Sequence, residues 1–132
     1  MVGLMVDKKQ TVLVVDDEVM NVMILSRRLK KEGFVVEEAS DGQVAIDMVS
    51  AAADIPDIVL MDLMMPNLDG WEATKKLKEK FPHIKVIAVS AKVDEEMRSA
   101  QNGFDDFCPK PVNFKLLISK IEQVLQAEEG AA

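Results

Sequence analysis

The sequence predicts an α/β sandwich: one doubly wound parallel sheet of five strands, helices on both faces, the unit β-α repeated five times. Three observations carry that prediction. Short aliphatic runs alternate along the chain with stretches whose apolar residues fall at helical spacing. The runs are apolar at consecutive positions, as strands covered on both faces are, rather than alternating polar and apolar. The runs are followed by acids, a hydroxyl or turn residues, which puts polar groups where the strands stop. Crossovers between parallel strands of this kind are right-handed.

The elements follow in order. Thr11-Val12-Leu13-Val14-Val15 is a β-branched and aliphatic strand stopped by Asp16-Asp17-Glu18. Val22, Leu25 and Leu29 mark the buried stripe of the next helix; Lys30-Lys31 suit its carboxyl end, and Gly33 suits its cap. Phe34 to Ala39 reads as a strand with a polar outer end. Asp41-Gly42 opens a helix that turns Val44, Ala45, Met48 and Val49 inward. Ile58-Val59-Leu60-Met61 forms the third strand, with Asp62 where the pattern calls for another aliphatic residue. Met65-Pro66 bars a helix there, and Asp69 with Glu72 has capping-box spacing for a helix from about Gly70 to Lys80, with Trp71, Ala73, Leu77 and Phe81 as its apolar marks.

Lys85 to Ser90 is the fourth strand. Asp94 to Asn102 forms a helix with only Met97 and Ala100 to bury, so it is easily shifted. Gly103 ends it, and Asp105 to Cys108 makes a short fifth strand. From Asn113, Phe114, Leu117, Ile118, Ile121 and Leu125 define the clearest amphipathic helix. Residues 1–9 are an extension, 10–127 one domain and 128–132 a fraying tail.

Composition narrows the function. A net charge of −7 argues against a nucleic-acid surface, which needs clustered Lys and Arg. No apolar run approaches the roughly 20 residues that cross a bilayer. Met1 to Val6 is too short for a signal peptide, and the single Cys108 excludes an internal disulfide, so the expectation is a cytoplasmic domain. Cys108 reads as a core residue, His83 as an exposed surface group, and Asp57 as a turn or cap residue.

Open parallel sheets bind ligands beyond the carboxyl ends of their strands. There the sequence places Asp16 and Asp17, then Asp62, Ser90 and Lys110. Two carboxylates 4 Å apart repel by about 4 kcal/mol at an effective dielectric near 20, so the cluster takes up protons or holds a cation. Oxygen donors without neighbouring His or Cys favour Mg²⁺ over zinc. An acceptor oxygen, a divalent ion, an ammonium and a hydroxyl together suit in-line phosphoryl transfer.

These residues resemble the receiver domain of two-component response regulators. The resemblance runs from about Gln10 to Gln126 and rests on Asp16-Asp17, on Asp62 in Met61-Asp62-x-x-Met65-Pro66-x-x-Asp69-Gly70, on Ser90-Ala91 and on Lys110-Pro111. It implies a flavodoxin-like (βα)5 three-layer sandwich with strand order 2-1-3-4-5. It also implies that Asp62 accepts a phosphoryl group from a histidine kinase or histidine phosphotransfer protein. Mg²⁺ would be held by Asp17, Asp62 and the Met64 carbonyl, with Asp16 acting mostly through water. Lys110, Ser90 and the amides of Met64 and Ala91 would grip the phosphoryl oxygens, and Lys110-Pro111 would be cis. Ser90 and Phe107 would be the switch pair, reshaping a partner face made of the Asp94–Asn102 helix, the fifth strand and the last helix. With the domain filling the chain, the expectation is a stand-alone effector or relay that slowly hydrolyses its own phosphoaspartate.

Some positions depart from the family pattern. Ser90 and Lys110 lie 20 positions apart, about two fewer than usual, and Phe107 stands where tyrosine is common. Met64 and Lys92 occupy positions expected to tune phosphoaspartate hydrolysis, the apolar Met64 by screening water. The rival enzyme reading, a haloacid-dehalogenase-like phosphatase, needs a second acid two positions after the nucleophile, where Met64 stands. A degenerate interaction domain would lack the acceptor or the lysine. Flavin binding would need a hydroxyl-rich loop after the first strand.

Overall fold

The apolar runs form a parallel sheet because each can bury both faces. The computed structural model describes residues 9–66, 68–91 and 103–131. Its strands are β1 (Thr11–Val15), β2 (Val35–Ala39), β3 (Ile58–Asp62), β4 (Lys85–Ser90) and β5 (Asp106–Pro109). Its helices are α1 (Val19–Lys31), α2 (Gly42–Ala51), α3 (Gly70–Lys80) and α4 (Phe114–Ala131). The sheet order is β2-β1-β3-β4-β5, every pair parallel, as the sequence predicts. The predicted Asp94–Asn102 helix and Lys92 lie outside the described residues.

Successive strand side chains point to opposite faces, and the two faces carry separate cores. Val12, Val14, Leu60, Ile87 and Val89 pack under Leu25 and Leu29 of α1 and Leu117 and Ile121 of α4. Leu13, Val15, Val59, Met61 and Val86 pack under Ala45 and Val49 of α2 and Ala73 and Leu77 of α3. All five residues of the central strand β3 are buried, Asp62 included. Burying each large aliphatic side chain contributes about 1.5–3 kcal/mol, and that reserve holds a carboxylate where water is scarce.

Local chemistry sets the element ends. Gly33 takes φ +97° just past α1, a left-handed conformation that costs glycine little. Asp41 and Asp69 cap α2 and α3 by accepting from the Val44 and Glu72 amides. Gly70 is required by closeness: an added Cβ would fall on the Asp62 carbonyl oxygen and the Leu63 backbone.

The structure also corrects details. Strand β2 starts at Val35 rather than Phe34, whose amide still bonds the Leu29 carbonyl of α1. Strand β5 starts at Asp106; Asp105 just before it is tied to β4 by its amide, which donates to the Val86 carbonyl at 2.7 Å, and by its carboxylate, which accepts from the Val86 amide. Ile46 and Val124, not among the predicted inward residues, are in the core, while Val44 and Met48 are half-buried. Helix α4 runs on to Ala131, so the expected tail from Glu128 is helical backbone.

Candidate functional site

Asp16 and Asp17 follow β1 and Asp62 ends β3, and these neighbouring strands bring the three carboxylates together. One oxygen from each lies within 4.8 Å of the others. Asp16 and Asp62 are 4% and 5% exposed, whereas Asp17 is open to solvent. Lys110, just past β5, reaches back across the sheet. Its ammonium donates to Asp16 Oδ2 at 3.1 Å and lies 3.5 Å from Asp62 Oδ1. The Lys110-Pro111 bond is cis, as expected.

The electrostatics follow from this crowding. Burial, and then the charge of Asp16, push the Asp62 carboxyl up from its ordinary 3.8 to about 6. Lys110 and the Met64 amide, which donates to Asp62 Oδ1 at 3.3 Å, pull the other way and do not cancel the rise. For Lys110, burial favours the neutral amine, but the hydrogen bond and charge of Asp16 and the charge of Asp62 outweigh it, so its pKa rises. Three carboxylates facing one ammonium carry a formal excess of two negative charges when all are ionised. A divalent cation balances that excess, and the all-oxygen donor set suits a hard ion such as Mg²⁺.

A family profile described as the response regulator receiver domain matches residues 12–122. The chain belongs to that family. Receiver domains are the phosphoacceptor modules of two-component systems. Among curated relatives, this receiver is 36% identical over 118 residues to the response regulator PleD of Caulobacter vibrioides, covering 86% of this chain and 25% of PleD. It is 35% identical over 117 residues to the response regulator MprA of Mycolicibacterium vanbaalenii, covering 87% of this chain and 50% of MprA. The chain thus spans a quarter to a half of those relatives. A CheY-like receiver domain from Methanospirillum hungatei superposes with TM-score 0.86 at 26% identity, covering 95% of this chain and all of that one. TrrA of Thermotoga maritima, solved with Mg²⁺-BeF, superposes with TM-score 0.78 at 27% identity, covering 87% and 98% of the two chains.

The other candidates lie in the loop after β3 and along or beside β4 and β5. Ser90 is buried at the end of β4, and its carbonyl accepts from the Lys110 amide at 3.0 Å. Ala91 is exposed one residue further on, and Met64 is 63% exposed at the pocket mouth. Phe107 is half-buried on β5, opposite Ala88 in the register. Cys108 is in the core, where burial pushes its thiol pKa up, and His83 is exposed at the far end of the sheet.

Sequence reasoning missed Asn21. Its amide donates to Glu18 Oε1 at 2.8 Å and reaches Asp16 Oδ2 at 3.4 Å, while the Glu18 amide donates to Asp16 Oδ1 at 2.9 Å. Asp16 is therefore fixed by α1 on one side and by Lys110 on the other. The only available signal was an amide side chain at i+5 from an acid across a helix start. That signal is weak by itself.

Proposed function

We propose that this receiver is a phosphoacceptor switch in which the Asp62 carboxylate takes a phosphoryl group from a phosphohistidine. The observation that carries this reading is the placement of Asp62. It is desolvated at the end of the central strand, pressed by Asp16, and reached by the Lys110 ammonium. An Asp62 oxygen attacks phosphorus, the phosphorus–nitrogen bond of the donor breaks, and the leaving imidazole takes up a proton. Lys110 sits where it can neutralise the transferred oxygens, and the Ser90 hydroxyl and the Met64 and Ala91 amides supply donors.

Asp17, Asp62 and the Met64 carbonyl are the groups that would hold Mg²⁺, with Asp16 assisting. When bound, the ion neutralises the carboxylates and the phosphoryl oxygens during transfer. Asn21 keeps Asp16 in place meanwhile. Phosphorylation adds roughly −1.5 to −2 charge units and new acceptors beside Ser90, which biases Ser90 and Phe107 toward a second arrangement. Met64, standing where a phosphatase would need its second acid, limits water attack on the phosphoaspartate and favours a switch over a turnover enzyme.

The donor has a natural seat. Val19, Met20, Met23 and Ile24 on α1 are 43–71% exposed, an apolar patch directly beside Asp16 and Asp17. A histidine kinase or phosphotransfer protein resting there would bring its phosphohistidine over Asp62. The downstream partner would read β5, α4 and the segment before them. No described helix is long and apolar enough to cross a membrane, and we place the exchange in the cytoplasm.

Intact-mass measurement after incubation with acetyl phosphate and Mg²⁺ tests the proposal. The expected result is a gain of one phosphoryl group, abolished by Asp62→Ala and by chelation of the metal. Steady turnover of phosphate esters would favour the phosphatase, and a chain that stays unlabelled would favour a degenerate interaction domain.

A further inference from the structure

A small apolar cluster borders the core under α2 and α3, and Phe104 packs against both. Its buried base is Leu63 and Ala88, and Trp71, Phe104 and Phe107 pack against it. Phe104 is the shared ring of two pairs. It meets Trp71 edge-on, with centroids 5.2 Å apart and planes at 80°, and meets Phe107 at 5.7 Å and 49°.

The base of this cluster touches the phosphoryl pocket from two sides. Leu63 follows Asp62 in the chain. Ala88 shares a strand face with Ser90, because alternate residues of a strand point the same way. Phe107 lies opposite Ala88, and Pro109 opposite Ser90, so the Phe107 ring stands diagonal to Ser90 on one face. A methyl at position 88 leaves the ring room to slide along that face. Packed interiors do not tolerate gaps, so a ring that moves draws its neighbours after it. Edge-to-face pairs also favour discrete arrangements over continuous ones.

We propose that Phe104 is a positioning residue that couples Phe107 to Trp71, so that a change in the Asp62 pocket reaches helix α3 through three aromatic rings. The inference rests on the phosphoacceptor reading of that pocket. It adds an output: the first turn of α3 reports the state of the site alongside β5 and α4. A second route runs through the backbone, since the Gly70 amide donates to the Leu63 carbonyl at 3.2 Å. Changing Phe104 breaks the ring route and leaves that backbone route intact.

Trp71 is the single tryptophan of the chain, so its emission is unambiguous. The full chain is titrated with beryllofluoride in the presence of Mg²⁺, with fluorine NMR reporting bound beryllofluoride independently. Loss of the Phe104 edge exposes the indole, so emission moves to longer wavelength on binding. In Phe104→Leu and in Phe104→Met, the second keeping more of the volume, the bound fluorine signal persists and the emission shift is lost. A shift of full size in both variants would assign the signal to the Gly70–Leu63 route and overturn the proposal. So would a parent chain that binds beryllofluoride with no change in emission. A parent chain showing no bound fluorine signal would overturn the reading of the Asp62 pocket itself, and the coupling with it.

Discussion

The two ends of the sheet carry the same kind of residue in opposite circumstances. At the amino end, Asp57 accepts from the Thr11 amide at 2.8 Å and returns its own amide to the Thr11 carbonyl, clipping β3 to β1. Asp105 does the same for β5 and β4, accepting from the Val86 amide at 2.8 Å and from Lys78 at 2.9 Å. Each of these acids bonds donors from its own surroundings. At the carboxyl end, Asp16, Asp17 and Asp62 face one another across a pocket with one lysine between them. Residue type does not separate structural from functional acids in this fold. What separates them here is whether other carboxylates crowd the same pocket.

The contrast can be broken most directly by removing one acid from each end. Asp62→Asn is expected to abolish phosphoryl labelling by acetyl phosphate, the mass gain falling from one group to none. Asp105→Ala is expected to leave labelling intact while costing about 1.5–3 kcal/mol of stability in urea unfolding, the range for hydrogen bonds to a charged group. Labelling that fails in Asp105→Ala under conditions where that variant is folded would erase the distinction.

The pH dependence sharpens it further. The folded pKa of Asp62, about 6, lies above its ordinary 3.8, so the folded chain binds more protons between those values than the unfolded chain does. Stability without Mg²⁺ should therefore fall as pH rises from about 4 to about 6, and stay lower above that window. Because solvent reaches the pocket mouth, the drop is discounted to about 1–2 kcal/mol. Asp62→Asn should flatten that part of the profile, and Mg²⁺ should recover stability above pH 6 in the parent. A parent profile indistinguishable from that of Asp62→Asn would show that the carboxylates are balanced without a cation. The smallest effect is kinetic. Met64→Asn should shorten the phosphoryl lifetime several-fold, read as loss of the mass gain over time after donor removal. Equal lifetimes for the parent, Met64→Asn and Lys92→Ala would end the water-screening idea.

Much of this was legible along the chain. Strands buried on both faces announce themselves as unbroken aliphatic runs, and an acid closing such a run, as Asp62 does, violates the local pattern. Asp41, Asp69 and Gly33 were readable as helix ends because capping depends on neighbouring backbone groups. The misses came where burial depends on what lies opposite. Val124, three residues after Ile121, and Ile46, three before Val49, share their helices' apolar stripes, and how deeply the sheet covers them is set by packing. Asn21 carries only a weak local signal, and nothing local says that the Trp71, Phe104 and Phe107 rings meet.

The sequence alone determined the alternation of elements, their approximate limits and the kinds of group standing at the strand ends, because those features follow from backbone geometry and the solvent preference of each residue. Only the tertiary structure decided which of those groups meet. Lys110 lies 94 positions from Asp16, and their 3.1 Å contact exists because five strands pack in one order with parallel crossovers. The crowding that pushes Asp62 up to about 6 is likewise a property of assembled neighbours. Charge and burial act through space, and distance along the chain does not encode distance through space.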